Sequence, residues 1–129
     1  PMVPHGISVI LNAPAVYRLI GSTFPDQHLE AAKSMGADVR NIPDERAGDV
    51  LADQVIKLMK MADMPNGLSG IGYNDSDIEA LTERTLMQKR LLNISPLEIS
   101  KETLHTLFHN QRGRHRTWSG HLQKNHRCP

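Results

Sequence analysis

The apolar positions of this chain fall into helical repeats separated by clear breaks. In the strongest repeat, Ala47, Leu51, Val55, Leu58 and Ala62 recur at spacings of four, four, three and four, which lines one face of a helix. Asp44 and Glu45 stand at its start and Lys57 and Lys60 near its end, the order a helix dipole favours. The spacing predicts a helix over 44–62, broken by Met64-Pro65-Asn66-Gly67.

The other elements are shorter or less regular. From Gly6 to Ile20 the apolar residues cover almost every face. A helix that is apolar all round belongs inside something larger, and Pro14 should kink it. Thr23-Phe24-Pro25-Asp26 reads as a helix start, with a hydroxyl cap and a proline in the first turn. That helix carries His28, Leu29, Ala31, Ala32 and Met35 and stops at Gly36. Asn74 or Asp75 caps a helix holding Ile78, Ala80, Leu81 and Leu86, and Ser100 caps one holding Leu104, Leu107 and Phe108. No segment alternates with period two for long enough to be a strand. The expected fold is all-α, a helical array of about five helices.

Composition refines this picture. Only 4% of the residues are aromatic against 39% apolar overall, so the core is aliphatic, which favours packed helices over a β-sandwich. The net charge of +1 hides an asymmetry. From Gln111 onward the chain holds Arg112, Arg114, Arg116, Lys124 and Arg127 and no acid. The expected division is a helical unit over 1–110 and a disordered basic tail over 111–129. No charge-free apolar run reaches the roughly 20 residues of a membrane-spanning helix. The single cysteine, Cys128, allows no disulfide within the chain. The opening Pro1-Met2-Val3-Pro4 reads as the middle of a longer protein.

Candidate chemistry is sparse. Gly67-Leu68-Ser69-Gly70-Ile71-Gly72 lacks the lysine of a phosphate-binding loop and reads as a helix linker. His105 and His109 share a helix face, but a metal site needs three or four ligands, so they read as a surface pair. His28 falls on the polar side of its helix. The tail around Trp118 could contact phosphates, although a solvated end is the simpler reading. His5, between Pro4 and Gly6 at the mouth of the apolar helix, must be hydrogen-bonded or bound to something if that helix is buried.

Pro4-His5-Gly6-Ile7-Ser8-Val9-Ile10-Leu11-Asn12-Ala13-Pro14-Ala15-Val16 resembles the Pro-His-Gly helix of iron-containing alcohol dehydrogenases. Thr23 to Ala32, Met35-Gly36-Ala37-Asp38, Ala47 to Asp53 and Gly67 to Tyr73 resemble later segments of that family in the same order. Their wording is closest to its transhydrogenase branch. The resemblance runs from Pro1 to about Phe108 and stops at the basic tail.

The resemblance implies a C-terminal helical part cut off from an N-terminal nucleotide-binding domain, its missing partner. It makes His5 the last of four metal ligands, the aspartate and two histidines before it being absent here. The parent enzyme would use a divalent metal, iron or zinc, as a Lewis acid on the alcohol oxygen, and NAD as hydride acceptor. Its implied substrates are small hydroxyacids and oxoacids: 4-hydroxybutyrate is oxidised to succinate semialdehyde while 2-oxoglutarate is reduced to 2-hydroxyglutarate. This chain alone is expected to bind neither cofactor and to be inactive. The branch implies a mitochondrial location, with no membrane or nucleic-acid partner. The competing reading is a small helical interaction module whose basic tail binds nucleic acid or an acidic protein.

Overall fold

The computed structural model describes residues 3–111. Among them are six α-helices, four short 3-10 turns and no strand. The helices are α1 His5–Ile20, α2 Pro25–Ser34, α3 Ala47–Met61, α4 Ile78–Leu86, α5 Lys89–Leu92 and α6 Lys101–Asn110. The all-α expectation holds. The helix beyond the expected five or so is α5, a single turn at Lys89–Leu92 too short to leave a periodic trace.

The termini follow local chemistry. Ser100 caps α6 by accepting from the Thr103 amide at 3.1 Å. Asn74 and Asp77 form a reciprocal capping box at the 3-10 turn leading into α4. Gly36, at φ +92°, ends α2: its amide reaches Lys33 carbonyl and that of Ala37 reaches Ala32 carbonyl. Only a residue without a Cβ enters that left-handed region without strain. The start of α2 differs from the expectation. Pro25 does open the helix, but the cap position belongs to Phe24 and no side chain caps it. Thr23 instead closes the 3-10 turn Gly21–Thr23 that continues from α1.

The core has two parts. Ala32, Leu51, Val55 and Met59 form one cluster where α3 packs between α1 and α2. Leu68, Ile78, Leu104 and Phe108 form the other, where α4 lies on α6. The buried stripe of α3 departs from the predicted one in its second half. Met59 is 3% exposed, whereas Leu58 is 40% exposed. Steps of four, from Ala47 through Leu51 and Val55 to Met59, keep the stripe facing α2, and Leu58 turns off it. The helix also starts later than expected, because 44–46 form a 3-10 turn.

The contact between α1 and α3 is unusually close. A Cβ on Gly48 would lie 2.2 Å from the Tyr17 carbonyl oxygen, and one on Gly21 would lie 2.2 Å from Gly48 Cα. Two glycines therefore let backbone meet backbone where the end of α1 crosses the start of α3. Arg18 clamps the crossing by ion pairs to Asp53 at 2.5 Å and Asp49 at 3.4 Å.

Candidate functional site

His5 is the first residue of α1 and is exposed. Pro4 occupies the cap position without a side-chain hydrogen bond, and the first turn holds no acid. The Ser8 hydroxyl donates to the His5 carbonyl at 2.7 Å, so the backbone here is tied down while the imidazole faces outward. Helix amides at such a start carry partial positive charge. The helix start therefore gives no help to a cation held by His5, which needs further ligands from elsewhere. Among the described residues no group of three or more His, Cys, Asp or Glu side chains could hold a metal ion. One imidazole is one donor of a tetrahedral set, so these residues do not by themselves form a metal centre.

The other histidines resolve differently. His28 is buried, not on a polar side as the pattern suggested. Its Nδ1 donates to the Phe24 carbonyl at 2.8 Å, and Tyr17 meets its ring edge-on at 5.9 Å between centroids. It packs α2 against α1. His105 and His109 are exposed on α6 with rings 6.4 Å apart and 23° from parallel. They form a surface pair. The basic tail beyond Gln111, with Trp118, His115, His121, His126 and Cys128, lies outside the described residues.

The glycine segment is no phosphate cradle. Leu68–Ile71 forms a 3-10 turn that inserts Leu68 into the α4–α6 cluster. Gly67, at φ +73°, lies where a Cβ would fall 2.6 Å from the Gln111 carbonyl oxygen. The turn is thus docked against the end of α6. The periodic reading passed over Gln111, which is buried at 8% exposure and donates to Asn12 of α1 at 3.1 Å. It passed over Asn66 as well. Neither carries a sequence signal, because an amide side chain in a loop or at a helix end is normally solvated. Gly48 did carry one: a glycine inside a helical stripe is tolerated at a cost and usually marks a packing need. Asn66 and Gln111 border a groove of about 950 Å³ between α1, α3 and α6.

Comparison with known proteins covers the same stretch. The model of the Fe-containing alcohol dehydrogenase family, C-terminal, matches residues 2–111. The chain is similar to the probable mitochondrial hydroxyacid-oxoacid transhydrogenase of Dictyostelium discoideum, at 44% identity over 83% of this chain and 20% of that protein. It is similar to the mitochondrial hydroxyacid-oxoacid transhydrogenase of Homo sapiens, at 44% identity over 84% of this chain and 23% of that protein. The Mus musculus protein of the same name is 41% identical over the same shares. The chain thus spans about a fifth of the length of the curated relatives it matches. No solved structure matches.

Proposed function

This chain belongs to the iron-containing alcohol dehydrogenase family, in its C-terminal part, and from that premise we propose that it is the helical, metal-side unit of a hydroxyacid-oxoacid transhydrogenase. The observation that carries the reading is the match over 2–111, with Pro4-His5-Gly6 at the exposed start of α1. The division proposed is a helical unit over 1–110 and a basic tail over 111–129, with Gln111 itself docked on α1 through Asn12 and the family match ending at that residue.

In the parent enzyme His5 supplies one nitrogen to a divalent metal, and an aspartate and two histidines from the preceding segment complete the set. When bound, NAD would supply the hydride chemistry and the metal would act as a Lewis acid on the alcohol or carbonyl oxygen. The substrates are a hydroxyacid such as 4-hydroxybutyrate, oxidised to succinate semialdehyde, and 2-oxoglutarate, reduced to 2-hydroxyglutarate. The location is mitochondrial, after the relatives' names. No described helix is long and apolar enough to cross a membrane.

The test uses the full-length parent and the chain alone. His5→Ala in the parent should lose bound metal, measured by elemental analysis of the purified protein, and lose turnover with it. The 129-residue chain should show no cofactor-dependent turnover. A parent variant that keeps both metal and turnover would falsify the assignment of His5.

A further inference from the structure

Three side-chain hydrogen bonds run in series from the end of α6 to the first residue of α1. Gln111 Nε2 donates to Asn12 Oδ1 at 3.1 Å. Asn12 Nδ2 donates to the Ser8 carbonyl at 3.1 Å. The Ser8 hydroxyl donates to the His5 carbonyl at 2.7 Å. His5, Ser8 and Asn12 stand three and then four positions apart, so they share one face of the helix.

The two ends of the series differ. Gln111 is buried, and its carbonyl abuts Gly67, so the α6 end is fixed by packing. The α1 end lacks the usual supports of a helix start, which are a capping side chain or an acid in the first turn. It has neither, and His5 and Gly6 are exposed. The backbone ties this turn through the Ser8 N–H, which donates to the Pro4 carbonyl at 3.0 Å, and helices fray from their ends. Serine and asparagine often bond back to a carbonyl of their own helix. Asn12 does more. Its amide donates along α1 and accepts from a residue 99 positions away, which turns a local habit into a tie between two elements.

We propose that Ser8, Asn12 and Gln111 are positioning residues for His5. The series holds the first turn of α1, and with it the His5 backbone, where the imidazole can serve the metal. This rests on the reading of His5 as a ligand in the parent enzyme. Removing a group that orients a ligand weakens metal affinity by about 10–100-fold. A tie to the backbone is looser than a bond to the ring, so the lower figure is expected.

The first readout is the zinc affinity of the full-length parent, measured by competition with a chromophoric chelator. Ser8→Ala and Gln111→Met should each weaken it by about tenfold. Ser8→Thr should keep the native value, because a threonine hydroxyl makes the same bond to a helix carbonyl. The second readout is amide hydrogen exchange in the 129-residue chain, which needs no metal. Gln111→Met should speed exchange at Ser8 and Val9 by about fivefold, the worth of one ordinary hydrogen bond, and leave Tyr17 to Ile20 unchanged. Exchange that quickens equally along all of α1 would show a general loosening and overturn the proposal. Unchanged zinc affinity in Ser8→Ala and Gln111→Met, beside metal loss in His5→Ala, would overturn it alone and leave the His5 assignment standing. Metal retained by His5→Ala would remove the premise and the proposal together. The Ser8 pair alters one group near the surface, so the test stands even where Gln111→Met fails to fold.

Discussion

Thr82 is fully buried in α4, yet its hydroxyl has no hydrogen-bond partner. Thr85, one turn on, shows the usual alternative by donating to the Leu81 carbonyl at 2.8 Å. An unmatched buried hydroxyl costs about 1–3 kcal/mol, whereas a methyl of the same shape costs nothing in hydrogen bonding. Thr82→Val should therefore raise stability by about 1 kcal/mol, read as a higher midpoint in urea with an unchanged slope. A lower midpoint would mean that the hydroxyl has a partner. Single residues were also where the sequence was hardest to read. His5 stood out because its neighbours make a motif. His28 looked polar because a helix wheel assigns faces without knowing that Tyr17 of another helix will cover one of them. Gln111 and Asn12 lie 99 positions apart, and no local pattern links them.

Among the elements, the crossing of α1 and α3 is the most demanding. Glycine inside a helix is worse than alanine by about 1 kcal/mol where nothing crowds it. Gly48→Ala should nevertheless destabilise the protein by about 1–3 kcal/mol, because the new Cβ would strike the Tyr17 carbonyl. The sign of the change in thermal midpoint decides between the two effects. The pairing of α4 with α6 has an electrostatic component that pH can reach. Lys101 of α6 donates to Glu79 of α4 at 2.5 Å. That hydrogen bond, and then the Lys101 charge, hold the Glu79 carboxyl below its ordinary range. A carboxyl lowered by folding contributes stability above its unfolded value, and the contribution is lost as pH falls through the folded value. Acid should loosen α4 from α6 in a step that Glu79→Gln removes. The step should be small and sensitive to salt, since both partners are exposed. A pH titration of α6 amide shifts in both proteins checks it. At this scale the sequence was informative wherever a cap or break was chemical, as at Gly36, Asn74 and Ser100. It failed at Leu58 and Met59, because adjacent apolar residues satisfy a period of 3.6 about equally well and only the position of α2 selects between them.

For the whole molecule, the division of the core implies unequal stability. In the first cluster α3 is covered on two sides by α1 and α2, whereas α4 and α6 cover each other and the turn at Leu68, with only a lighter contact from α6 to α1. Native-state hydrogen exchange should show α4 and α6 opening together at lower free energy than α3. Equal protection throughout would show that the Asn12–Gln111 bond and the groove wall make one cooperative unit. The all-helical fold was legible from pattern and composition, since a chain poor in aromatic residues and without period-two alternation has little to build a sheet from. The docking of its two parts was not, because it runs through the Gly67–Gln111 contact and the groove. The paired glycines also act at a distance. They sit at one end of α1 and His5 sits at the other, 16 positions away in sequence, which is about 24 Å along a helix axis. The helix is in effect a lever braced at Gly21 and Gly48 and again at Ile10, packed on the α3 core, and at Asn12, bonded to Gln111. A tilt of about 5° there would carry the imidazole roughly 2 Å at the far end, whereas the metal bond proposed for His5 would tolerate about 0.2 Å. A contact between two backbones, with no flexible side chain between them, is what keeps such a lever from swinging.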